Sequence, residues 1–160
     1  MIVDFSTLPE HSRIWIYQCN RSFSEAELVE IKAQLTAFLT QWTAHGAALK
    51  AGFEIPYNRF LVLGLDQEQH AASGCSIDAS VRFIQQLEAK FQVDLLDKMN
   101  VSYKQGEYVA YKPLKEFKKM AKARSVSKRT VVFNNLVTTK KEYLEHWEVP
   151  ASESWHARFL

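Results

Sequence analysis

Between Arg59 and Asp66 the chain reads Phe-Leu-Val-Leu-Gly-Leu, with no polar position. Alternate side chains of a strand point to opposite faces, so this run predicts a strand covered on both faces, interior to a sheet. A polar loop follows, and then Ile77, Val81, Ile84, Leu87 and Phe91 recur at helical spacing. That stripe predicts an amphipathic helix. Ser76 is the expected N-cap, and Asp78 in the first turn suits the positive end of the helix dipole.

The flanking patterns supply the other elements. Arg13-Ile-Trp-Ile-Tyr-Gln18 is β-branched and aromatic and predicts the first strand. Ser24-Glu-Ala-Glu27 matches a capping box, with Phe23 and Leu28 placed as a hydrophobic staple. The helix it opens buries Leu28, Ile31, Leu35, Phe38, Leu39 and Trp42, and Gly46 is expected just past its end. His45 reads as a surface residue of its last turn. Residues 47–58 predict a strand and a turn at Pro56-Tyr57-Asn58, joined as a hairpin to the central strand. A short helical piece is expected over 93–99.

Further on, a hairpin turns at Gln105-Gly106-Glu107, and Pro113 opens a helix over roughly 113–124. Thr130–Val137 predicts the last strand, where Asn134 and Asn135 mark a bulge or a polar edge. Thr139-Lys-Lys-Glu142 is a second capping box, opening a short helix to Trp147. Trp155 and Phe159 are expected to pin the tail. The fold class expected is α+β: a single domain over residues 1–160, with a mixed, mainly antiparallel sheet of about five to six strands and helices packed on it.

Composition agrees with a globular chain. Of 160 residues, 47% are hydrophobic and 24% charged, enough for a core without disulfides or a metal. The two cysteines, Cys19 and Cys75, make no framework, which fits a reducing cytoplasm. The N-terminus lacks a basic stretch followed by an apolar run, so no signal peptide is expected. No apolar run reaches the roughly 18 residues that a membrane span needs.

The net charge of +2 conceals an asymmetry, because residues 104–129 carry nine basic and two acidic side chains. Lys115, Lys118, Lys119 and Lys122 crowd one side of a predicted helix, with Lys128 and Arg129 following. They are either a solvated outer face or a surface for an anionic partner such as RNA.

Nucleotide and metal motifs are missing. No glycine-rich phosphate loop ending in Lys is present, no dinucleotide fingerprint, and no zinc-finger spacing of cysteine and histidine. No cofactor or metal is expected. The segment Ser73-Gly-Cys-Ser-Ile-Asp78 and the ending Trp147-Glu-Val-Pro-Ala-Ser-Glu-Ser-Trp-His-Ala-Arg-Phe159 resemble a group of small uncharacterised bacterial proteins, some of them named ABC transporter ATPase. Leu61-Val-Leu-Gly-Leu-Asp66 is similar to a Walker B strand. Without a Walker A loop it is a buried strand with an acidic end, and the ATPase reading is rejected. The resemblance implies kinship and brings no activity with it.

Three readings of the 66–78 stretch stay open. In one, the helix N-terminus binds an anion, such as a phosphate-containing small molecule or RNA. Ser73, Gly74, Cys75, Ser76 and Asp78 then frame the site, with Lys118, Lys119 and Lys122 as further ligand-binding residues. In another, Cys75 is the nucleophile of a thiol-dependent hydrolase or transferase, with His70 as base and Asp66 or Asp78 orienting it. In the third, Cys75 is a small buried hydrophobe, Ser76 a cap and Gly74 a turn residue.

Overall fold

In the computed structural model, which describes all 160 residues, strand β1 (Arg13–Gln18) follows a 3-10 turn at Phe5–Thr7. Helix α1 (Glu25–Gln41) comes next. Its capping box is complete: Ser24 Oγ accepts the Glu27 amide, and the Glu27 carboxylate accepts the Ser24 amide. Arg21 also grips Glu27 with two guanidinium bonds of 2.8 and 2.9 Å. Those bonds and the Ser24 amide hold the Glu27 carboxyl at about 2, well below the usual range.

The helix ends at Gln41, and Gly46 is not its cap. Instead, β2 (Thr43–Ala44) and β3 (Ala47–Ala48) form a hairpin turned by His45 and Gly46. Both turn residues have positive φ, 50° and 79°, the backbone that matches a tight hairpin to strand twist.

Strand β4 (Lys50–Glu54) leads through the turn at Pro56–Asn58 into β5 (Phe60–Asp66). The order β1-β5-β4 puts β5 in the middle, antiparallel to both neighbours, and every one of its residues is buried. Met1–Val3 lies parallel along the far edge of β4, bridging Ile2 to Ala51, so the sheet is mixed as expected.

One face of β5 is covered by helices. Leu61 and Leu63 share a core with Ile31 and Leu35 of α1 and with Phe83, Ile84 and Leu87 of α2 (Gly74–Phe91). The opposite face meets the N-terminal segment at Gly64, where a Cβ would contact Leu8 and Phe5, and Ile14 of β1. Segment 93–99, expected helical, is irregular. The Glu88 carboxylate accepts the Leu95 and Leu96 amides at 2.8 and 3.0 Å, doing with a side chain what a helical turn does with carbonyls.

The chain divides into two compact units, Met1–Leu96 with Thr138–Lys141, and Asp97–Val137 with Glu142–Leu160. The second contains β6 (Asn100–Gln105), β7 (Tyr108–Pro113), α3 (Leu114–Lys122) and β8 (Val131–Phe133). Helix α4 (Lys140–His146) begins in the first unit and ends in the second, before β9 (Glu148–Pro150).

The order β7-β6-β8-β9 forms an antiparallel sheet over a core of Val101, Tyr103, Phe117, Val126 and Val132. Strand β8 stops at Phe133, and Asn134 and Asn135 turn the chain away instead of bulging a longer strand. The α+β class holds, with four helices and nine mainly antiparallel strands. The strands are shared among three sheets, of three, two and four strands, where a single sheet was expected.

Candidate functional site

Helix α2 starts one turn earlier than its apolar stripe suggests. Ser73 is the N-cap, and Ser76, expected there, is the third helical residue. The two serines cap each other. Ser73 Oγ accepts the Ser76 amide at 3.1 Å, while Ser76 Oγ accepts the Ser73 amide at 2.7 Å and donates to the Ser73 carbonyl at 2.8 Å. Serine thus replaces the usual glutamate of a capping box, with the shorter side chain tucked against the backbone. The Ser76 side chain is buried, and its hydroxyl already donates one bond and accepts another, which leaves it a single acceptor lone pair.

The Ile77 amide makes the first helical bond, to the Ser73 carbonyl. Gly74 and Cys75 keep the two uncommitted N–H groups of the turn, and both residues are exposed. Cys75 is therefore no core residue, against that part of the third reading, whereas Gly74 and Ser76 do shape the helix start. Asp78 is exposed and lies beyond the first turn, so it does not meet the dipole as expected.

Beside this turn lies a cavity of about 540 Å³, lined by Phe38, Trp42, His45, Ser73, Cys75 and Ala79 among others. Its aromatic wall is braced from behind. Trp42 Nε1 donates to the Ser76 carbonyl at 2.8 Å, joining the end of α1 to the start of α2. Phe38 stacks on Phe83 with centroids 4.5 Å apart, and Trp42 meets Trp15 edge-on at 5.8 Å. The cavity thus joins an aromatic wall to a thiol and an imidazole at the start of α2, whose two free amides belong to Cys75, in the lining, and to Gly74 next to it in the chain.

The other predicted residues are placed elsewhere. His70 is exposed in the loop and makes no hydrogen bond to Cys75. Asp66 is buried and occupied: it accepts the Glu68 amide at 3.0 Å and lies 3.9 Å from both His11 and Lys50. Cys75, His70 and Asp66 therefore form no hydrogen-bonded chain. Lys118, Lys119 and Lys122 are exposed on α3, in the second unit, and do not line the cavity.

The donor atoms of His11, Asp66 and Glu68 lie within 4.8 Å of one another, close enough to share a metal ion. Lys50 already supplies positive charge to that carboxylate, which weakens the case for a cation there.

Two residues escaped the sequence pattern. His45 reads as a helix-end surface residue, yet the His45-Gly46 turn carries it to the cavity. A two-residue gap between short apolar pairs, with Gly second, was the available signal. Lys140 reads as part of a helix start, and its buried contacts have no local signature. Comparison with known proteins finds no matching family model, no matching curated protein and no matching solved structure.

Proposed function

We propose that the first unit is a binding domain for a small organic anion. The apolar body of the ligand lies against Phe38 and Trp42, and its phosphate or carboxylate meets the Gly74 and Cys75 amides. The single observation that carries this reading is the cavity of about 540 Å³, walled by the buried Trp42 and the half-buried Phe38 and edged by a helix start with two unused donors. Helix N-termini favour anions through those donors and through the dipole. The volume falls in the range of small-molecule sites, roughly 300–1,000 Å³.

The test uses Gly74→Pro. Proline is accepted at the first helical position, and Ser73 already has the extended backbone that a following proline requires, with φ −98° and ψ 166°. The substitution deletes one amide donor and leaves the fold in place. Thermal stabilisation by a panel of aromatic and aliphatic phosphates and carboxylates should appear in wild type. It should weaken in Gly74→Pro and vanish in Cys75→Trp, which fills the cavity. A panel with no stabilising member, or one that Gly74→Pro stabilises equally, defeats the reading.

A second reading is favoured by one observation: Cys75 is exposed and lines the same cavity as His45. Thiol chemistry here would use His45 as the base in place of His70. In that case His45→Ala slows alkylation of Cys75 and His70→Ala does not. Equal rates in the two variants exclude it.

A further inference from the structure

We propose that the outer face of α3, together with the C-terminal 3-10 turn at Trp155–Phe159, binds single-stranded nucleic acid. Lys115, Lys118, Lys119 and Lys122 are all exposed on a helix of nine residues. Its only acid, Glu116, lies 3.9 Å from Lys119 and offsets one of the four charges. Lysines this crowded repel one another along a helix face, a cost that an anionic partner removes.

The apolar side of the same helix is already used, because Phe117 is fully buried and Leu114, Met120 and Ala121 pack on the core of the unit. What α3 offers outward is charge without an insertable apolar stripe, which suits a phosphate chain better than a lipid bilayer.

The tail adds aromatic rings to this charge. Lys118 Nζ sits 4.9 Å from the centroid of the Phe159 ring, and the Arg158 guanidinium lies 5.9 Å from the same ring. Phe159 in turn meets Trp155 edge-on at 6.1 Å. Cations flanking a half-buried aromatic ring are the elements of a single-strand site, where lysine and arginine take the phosphates and a ring takes a base. A duplex hides its base faces and has no use for Phe159. This inference is independent of the cavity reading, and the variants used for each leave the other untouched.

The experiment measures fluorescence anisotropy of labelled twenty-nucleotide oligo(dT) and oligo(U) with the full chain at 50 and 200 mM salt. Heparin, duplex DNA and phosphatidylserine vesicles serve as competitors. Single strands should bind at 50 mM, and four phosphate contacts imply a loss of about 50-fold at 200 mM. Lys118→Glu with Lys119→Glu should cost at least about tenfold without lowering Tm, and Lys118→Gln with Lys119→Gln a smaller part of it.

Phe159→Ala should weaken single-strand binding about tenfold and leave heparin binding unchanged, while Phe159→Tyr restores it. Equal affinity for oligo(dT) and oligo(U) means that the 2′-hydroxyl is not read; preference for either still supports the face. No binding at 50 mM overturns the proposal. So does tighter binding of duplex, or of heparin or vesicles with Phe159→Ala silent.

Discussion

Lys140 Nζ donates to the Leu8 carbonyl across 2.7 Å, and to the carbonyls of Phe5 and Ser6 at 3.1 Å each. The ammonium has three donors and finds three acceptors, so its hydration shell is replaced by backbone. The same nitrogen lies 5.5 Å from the Phe5 ring centroid, and the side chain is buried. The segment held in this way is the one that covers the second face of β5. Lys140→Met keeps the stem and takes the donor from the Ser6 and Leu8 carbonyls, while the Phe5 carbonyl keeps the Leu8 amide. It should lower unfolding free energy by about 2–4 kcal/mol and raise amide exchange over residues 3–8. An unchanged urea midpoint would show that the segment holds itself.

Two glycines admit the N-terminal segment, and they should differ in tolerance. A Cβ on Gly52 would lie 2.6 Å from the Val3 carbonyl oxygen, which is backbone and cannot yield without moving the strand. On Gly64 the nearest atom, also at 2.6 Å, is a terminal methyl of Leu8, which can turn away. Gly52→Ala should therefore cost about 2–3 kcal/mol and Gly64→Ala about 1 kcal/mol, read from paired denaturation curves. The reverse order would mean that the core around Leu8 is stiffer than the edge.

The two thiols should separate cleanly. Cys19 is fully buried, and burial pushes its thiol pKa up, while Cys75 is exposed. Iodoacetamide at neutral pH should modify one cysteine in the native protein and both in guanidinium. Peptide mapping should place the first label on Cys75. Native labelling of Cys19 would contradict the packing around β1.

His156 gives the second unit a pH dependence. Its ring is fully buried between Trp155, stacked at 3.8 Å, and Phe117, edge-on at 5.8 Å, and only Nδ1 has a partner, Ser154 Oγ at 2.7 Å. Burial lowers its pKa from 6.5 to about 4. The unfolded chain then takes up the proton first as pH falls. Stability should be level above about pH 6.5, decline through the window down to pH 4, and be lower by about 3 kcal/mol beyond it. His156→Gln should flatten most of that slope when urea unfolding at pH 7 and pH 5 is compared. An equal slope in the variant would assign the acid sensitivity to other groups.

The central strand was legible because both of its faces are apolar, and α1 because Ser24 and Glu27 mark its start independently of its stripe. The start of α2 lies three residues before the cap that its apolar stripe suggests. Ser73 and Ser76 are chemically equivalent as caps, and only the backbone decides which one holds the other. His45 is exposed as its position suggests, yet it sits in a hairpin turn and not in the helix, because Gly46 serves equally as a helix stop and as the second residue of such a turn. Segment 93–99 has helical composition, but the Glu88 carboxylate captures its amides from the preceding helix, a tertiary event that a local pattern does not contain. The grip of Lys140 on residues 5–8 lies furthest from reach, since it joins positions more than 130 apart.

That separation sets an order of events on the ribosome. A chain emerging from its N-terminus has β1, β4, β5 and both long helices available well before residue 140 leaves the exit tunnel. One side of the sheet can be sealed by α1 and α2 during synthesis. The other side meets a segment made more than 130 residues before the lysine that fastens it. Until residue 140 emerges, the Gly64 side of the nascent sheet has no fastened cover, and a chain truncated before Lys140 would keep a sticky flank for chaperones to find.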